Sequence, residues 1–167
     1  MALKDSLLPE FDHEMGTTRR LLERVPEADF AWKPHEKSFS LGQLASHVAN
    51  IPTYVNPTVD LTVFDLASLG PDARPKNPSS KSDILSAFDA NVTTARRKLA
   101  EQTDASLAAM WTMKNDGEEM FTLPRLAVLR SFVMNHLIHH RGQLSVYLRL
   151  RDVPLPSLYG PTADTRR

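Results

Sequence analysis

Apolar residues return at intervals of three and four along four stretches of the chain, and each stretch predicts a helix. In DSLLPEFDHEMGTTRRLLERVP, Leu7, Phe11, Met15, Thr18, Leu22 and Val25 fall on one face. Pro9 is tolerated near the start of this helix and Pro26 ends it. In FSLGQLASHVANIPTYV, Ser40 is a candidate N-cap. Leu44, His47, Val48 and Ile51 make the stripe there, and Pro52 bends or ends the helix. SKSDILSAFDANVTTARRKLAEQ sets Ile84, Phe88, Val92, Ala95 and Leu99 on one face. The fourth helix runs from Pro124, a favoured first-turn residue, to about Arg151, ahead of Pro154.

The connections differ from one another in composition. PTVDLTVFDLASLGPDARPKNPSS, within residues 52 to 80, is rich in Pro, Asp and Ser. Its length suits a crossover spanning a bundle, or a loop with a function of its own. WTMKNDGEEMFTL, within 110 to 123, carries Asn-Asp-Gly between strand-forming flanks and predicts a β-hairpin. Residues 152 to 167 form a proline-rich extended tail. No internal repeat interrupts this order. The pattern predicts an all-α single domain over 1 to 167: a four-helix bundle with one long crossover loop and a small hairpin before the last helix.

Composition narrows the function. A chain of 167 residues suits one domain with a sizeable core. Lys plus Arg and Asp plus Glu number 20 each, so no long-range field draws the chain to nucleic acid or to an anionic membrane. No apolar run approaches the roughly 18 residues of a membrane span, and the acidic start does not read as a signal peptide. With no cysteine, a disulfide framework, a thiolate nucleophile and sulfur-ligated metal are all excluded. Any metal must be held by histidine and carboxylate. The expected location is the cytoplasm.

The candidate chemistry lies in NHLIHHRGQL, which puts three histidines into five residues of an apolar helix. Taking His136 as zero and about 100° per residue, Leu129 falls near +20°, Val133 near +60°, His140 near +40°, Leu144 near +80° and Tyr147 near +20°. His136 and His140 thus join the apolar stripe. On the same count His139 lies near −60°, at its edge, Gln143 near −20°, and Arg141 near +140°, outside. His47 repeats the anomaly on the second helix. A lone inward histidine is usually a satisfied core residue, and HxxxH by itself is a weak signal. Two helices presenting three inward imidazoles instead suggest a His₃ set with an open coordination position, the pattern of a catalytic metal site.

These segments resemble the DinB-like family of metal-dependent four-helix-bundle proteins. The matching elements are LGQLASHVANI, WTMKNDGEEMFTLPR, NHLIHHRGQL and VPLPSLYG, in family order over nearly the whole chain. The resemblance implies an up-down-down-up bundle and a homodimer. It puts the family's metal-binding histidines on His47, His136 and His140, with zinc or nickel as the metal, and leaves His139 outside the set. It also implies thiol chemistry, such as transfer using a low-molecular-weight thiol as cosubstrate. The family's name does not imply DNA binding.

Together these features suggest a metal-dependent transferase, thiol S-transferase-like, or a hydrolase acting on a small-molecule substrate. The His₃-bound metal would activate a thiol or water. The alternative is a non-enzymatic, metal-stabilised bundle that binds a small ligand or protein partner in stress response. No residue stands out as general base. Glu14, about 60° from the Phe11 direction at the edge of its stripe, could reach the site but reads better as a solvated boundary carboxylate, and Gln143 is placed to orient a ligand histidine. Arg141 is expected in a surface or dimer salt bridge. His13 and His35 point elsewhere, and Trp32, Trp111 and Tyr147 are candidates either for core packing or for a pocket lining.

Overall fold

The computed structural model describes residues 2–70 and 75–165. The first helix, α1, spans Leu3–Leu22, and all six residues of its predicted stripe are buried, Val25 just beyond its end. Helix α2, Leu41–Asn50, begins at Ser40, whose hydroxyl accepts from the Gln43 amide while the Gln43 side chain accepts from the Ser40 amide. This reciprocal cap fixes where the helix starts, and so which way His47 points two turns later. Pro52 does not simply stop the chain. It opens a 3₁₀ turn, Ile51–Tyr54, that runs on into a short helix α3, Val55–Asp60.

The stretch expected as one long crossover loop is therefore largely ordered. After α3 come strand β1, Val63–Asp65, and a 3₁₀ turn, Leu66–Leu69. Residues 71–74 of that connection, like 166–167 of the tail, lie outside the described residues. Helix α4, Lys81–Ala100, starts at Ser80, whose hydroxyl accepts from the Asp83 amide, and buries Ile84, Phe88, Ala95 and Leu99. A short helix, α5, covers Asp104–Ala108. The hairpin follows as β2, Met110–Asn115, and β3, Glu118–Pro124, turning at Asp116 and Gly117, both with positive φ (54° and 80°). Glycine tolerates that geometry, and Asp is among the few other residues that do.

Among the described residues β1 pairs parallel to β2, and β2 antiparallel to β3, so the hairpin is part of a three-stranded sheet. The sequence does not announce this sheet, because β1 has three residues and no alternation to mark it. Asp65 ties it together: its carboxylate accepts from the amides of Ala67, Asp116 and Gly117. The chain is thus mostly helical with a small sheet, rather than all-α. α1, α2, α4 and the final helix pack around one apolar core. Trp111, Met113 and Val128 form a second, smaller core beneath the sheet. No helix among the described residues is long and apolar enough to cross a membrane.

The final helix runs unbroken from Arg125 to Leu150, yet it is not uniform. A first turn α6, Arg125–Val128, is followed by a π-helical segment, Leu129–Asn135, and then by α7, His136–Leu150. Turns closed by i→i+5 hydrogen bonds hold one residue more than α turns. Counting about 100° per residue through them misplaces whatever precedes them. With one extra residue taken up, Leu129 moves from about +20° to about +120° relative to His136. Leu137, Arg141, Leu144 and Leu148 fall near that direction, at about +80° to +140°. These four, not the histidines, are the fully buried stripe of α7. The buried stripe is rotated by about a quarter turn from the expected one, and this places Arg141 inside.

Candidate metal centre

That rotation leaves His136 and His140 on the shoulder of α7, half-buried at the edge of the core rather than in it. His47 occupies the matching shoulder of α2, beside buried Leu44 and Val48. Where the two helices pack, the three imidazoles meet. Ring centroids are 5.1 Å apart for His47 and His136, 4.5 Å for His47 and His140, and 4.7 Å for His136 and His140. One ring nitrogen from each lies within 4.8 Å of the others.

The Nε2 atoms of His47 and His136 approach to 3.3 Å. Tetrahedral ligands at 2.0–2.1 Å from a metal have edges of about 3.3–3.4 Å. Two of the three donors therefore already stand at the separation such an ion requires. His140 is oriented through its other nitrogen: Nδ1 lies 2.7 Å from Oε1 of Gln143. An amide oxygen only accepts, so Nδ1 carries the proton and Nε2 keeps its lone pair.

Electrostatics favour the uncharged form of all three rings. Burial pushes His47 down to about 4, helped by the neighbouring charges that His140 and His136 would carry. Burial, then His140, lower His136, while the Phe132 carbonyl pulls the other way. That carbonyl falls short of hydrogen-bond geometry, so Nδ1 of His136 is buried without a partner among the described residues. His140 is lowered by burial and partly restored by Gln143. An N–H···N bond between His47 and His136 would use one pair of ring nitrogens and leave the lone pair of His140 Nε2 unmet, whereas a cation takes one nitrogen from each of the three rings. The donor set fits a divalent ion.

The other sequence candidates lie elsewhere. His139 is exposed and outside the cluster, though its ring is 4.8 Å from that of His140. His13 is exposed and stacks on Tyr159, and exposed His35 accepts from the Lys37 amide. Glu14 does not turn toward the histidines. It is buried in an ion pair with Arg141, Oε2 to Nη2 at 2.7 Å. Arg141, expected outside, is 1% exposed. Its guanidinium also donates to the Glu14 carbonyl, to Thr18 Oγ1 and to the Tyr159 hydroxyl. That hydroxyl in turn donates to the Glu14 carboxylate. The cluster thus clamps α1, α7 and the tail together.

Around the imidazoles the surface divides into two kinds. His47, with Ser46, Asn50 and Thr53 alongside Leu69, Pro75 and Pro78, lines a mixed, more polar cleft of about 450 Å³. His136 lines an apolar cavity of about 80 Å³ walled by Phe64, Trp111, Met113 and Phe132. Tyr54 borders both, its ring parallel to His136 with centroids 5.9 Å apart. Sequence reasoning misses Tyr54, although it lies seven residues after His47 and so continues that helix face past Pro52. Tyr147 lines a recess beside His140 and Gln143, with Trp32 edge-on behind it. Trp111 is both core and cavity wall.

The DinB family model matches residues 1–165. A Bacillus subtilis (strain 168) relative, the "Uncharacterized protein YrdA", is 25% identical over 161 residues, covering 96% of this chain and 90% of its own. Two solved structures share the fold. A DinB-like protein from Bacillus cereus ATCC 10987 superposes with a TM-score of 0.73 at 20% identity, over 95% of this chain and 98% of that one. A DinB-like protein from Bacillus subtilis, YjoA, does so with a TM-score of 0.70 at 20% identity, over 94% and 99%.

Proposed function

The chain belongs to the DinB family, and from that premise we propose that it is a metal-dependent enzyme whose ion is held by His47, His136 and His140. The carrying observation is the 3.3 Å approach of two Nε2 atoms within a cluster of three half-buried imidazoles. A divalent ion such as zinc or nickel, when bound, supplies Lewis acidity that lowers the pKa of a coordinated low-molecular-weight thiol or water. Gln143 holds His140 in the tautomer that leaves its Nε2 free. Tyr54 shields one face of His136 and stands between apolar and polar surroundings. With no cysteine in the chain, a sulfur nucleophile must arrive as cosubstrate. The reaction is transfer or hydrolysis on a small molecule. Glu14, held by Arg141 and Tyr159, is not proposed as its base.

We read the four long helical segments as the family's up-down-down-up bundle, working as a cytoplasmic homodimer. Elemental analysis of untagged, metal-supplemented protein tests the metal assignment. About one divalent ion per chain is expected, falling to near zero in His47→Ala and His140→Ala. A metal-free wild type overturns the assignment; undiminished occupancy in both variants overturns the ligand set. Turnover of an electrophile that depends on both thiol and metal separates an enzyme from a metal-stabilised binding protein.

A further inference from the structure

We infer that the substrate carries a short alkyl group, about three or four carbons long, that enters the cavity beside His136 while a polar remainder lies in the cleft beside His47. This deepens the metal-enzyme reading and rests on it for where the reacting atom sits.

The cavity is built by distant parts of the chain: Tyr54 ahead of α3, Phe64 of β1, Trp111 and Met113 of β2, Phe132 of the π-helical segment, and His136 of α7. Its rigidity is visible in Trp111, 1% exposed, whose indole N–H donates to the Pro57 carbonyl at 3.0 Å. The Thr58 hydroxyl at its wall is already used, donating to the Tyr54 carbonyl at 2.7 Å. Tyr54 and His136 are the polar side chains left over, and the buried Nδ1 of His136 has no partner among the described residues. A group entering here therefore meets aromatic and aliphatic walls, with the His136 imidazole as part of them.

Size sets the chain length. A cavity of about 80 Å³ is roughly half of the 150 Å³ that admits a benzene ring, so it takes about three or four carbons. The far side of the histidines suits an alkyl group less well, because Ser46, Asn50 and Thr53 there set polar atoms among Leu69, Pro75 and Pro78. A ligand spanning both is amphiphilic, with its reacting atom between the two ends and within reach of the imidazoles.

The test uses unbranched alkanethiols of two to six carbons, titrated by calorimetry into metal-loaded full-length protein. In parallel, Trp111 fluorescence of chelator-treated Trp32→Phe protein is followed with primary alcohols of the same lengths. Affinity is expected to rise about fourfold per methylene, from about 0.8 kcal/mol per buried CH₂, and to stop rising beyond about four carbons. Leu66→Trp, on the cavity wall, should bring the break to shorter chains, and Phe132→Ala should move it to longer ones. Circular dichroism identifies a variant that fails to fold, and the wild-type series decides the matter alone. Affinity independent of length, or rising unbroken to six carbons, overturns the inference. Metal content of the same samples keeps the two readings apart. Bound metal with a flat thiol series sinks the cavity and spares the metal site. Absent metal with a length-dependent alcohol series does the reverse, and absence of both sinks both.

Discussion

Glu14 and Arg141 form an ion pair 2.7 Å long with side chains only 7% and 1% exposed. Two charges so placed lose most of their hydration, and the surrounding Thr18, Tyr159 and backbone carbonyl return part of it as hydrogen bonds. Removing one partner should leave the other charge buried and alone. Arg141→Met or Glu14→Leu is expected to cost about 3–5 kcal/mol in denaturant unfolding. The double variant Glu14→Leu, Arg141→Met should recover at least half of that loss. Additive single effects, with coupling below about 0.5 kcal/mol, would show that the pair is not acting as a unit.

The lowered histidines make a second expectation, for protein stripped of metal. In the unfolded chain each imidazole takes a proton near pH 6.5, whereas the folded chain keeps His47 neutral down to about 4. The unfolded state therefore binds more protons in between. Stability is fully present above about pH 6.5 and is lost as pH falls through that window toward 4. Chelator-treated wild type should show a falling urea midpoint across this range, and His47→Gln should flatten the slope. Equal slopes in the two proteins would remove burial of His47 as the cause.

Much of the fold and site is legible in the sequence, and the failures have identifiable causes. The stripes of α1, α2 and α4 are visible because each helix is a regular α-helix with an apolar face of constant direction. His47, His136 and His140 stand out because imidazole is conspicuous among Leu and Val. Arg141 is misplaced because i→i+5 turns leave no mark in the sequence, so a steady 100° count carries Leu129 onto the wrong face. The partner that makes a buried Arg141 tolerable, Glu14, lies 127 residues away, and its third member, Tyr159, comes from the tail. The parallel pairing of β1 depends on long-range contact in the same way.

Gln143 should act through His140 rather than by itself. Its amide oxygen fixes the imidazole tautomer at 2.7 Å. Gln143→Ala is expected to weaken metal binding about 10- to 100-fold without abolishing it, as losing the support of a ligand histidine typically does. Gln143→Glu restores an acceptor and should recover most of the affinity. Competition with a chromophoric chelator measures both. Equal affinity in wild type and Gln143→Ala would remove Gln143 from the site.

Gly42 sets two opposing effects against each other. Alanine is favoured over glycine inside a helix by about 1 kcal/mol. An added Cβ here would lie 2.9 Å from Pro78 Cδ and 3.0 Å from Phe30 Cβ, and neither neighbour is the far end of a flexible side chain. Overpacking of this kind costs about 1–3 kcal/mol, so Gly42→Ala should be destabilising. Gly16 of α1 is the control, because a Cβ added there would meet nothing within 4 Å, and Gly16→Ala should stabilise. Thermal melts of both variants shifting upward would mean that propensity, not contact, decides at Gly42.

The π-helical segment offers the sharpest separation of stability from site. Deleting exposed Ser131 removes one residue from Leu129–Asn135 and allows ordinary α turns to close. Because the segment already absorbs one residue, the flanks keep their facing: Leu129 and Leu137 stay on the core side, and His136 and His140 keep their shoulder. The melting temperature should change by no more than about 2–4 °C, the equivalent of 1 kcal/mol in a chain of this size, and metal stoichiometry should hold. Phe132, inside the segment, must rotate, so the cavity wall it forms should be lost and the alkyl-length preference with it. A collapse of the melting temperature would mean instead that the core needs the irregular turns, and that their place beside the histidines is incidental to the site.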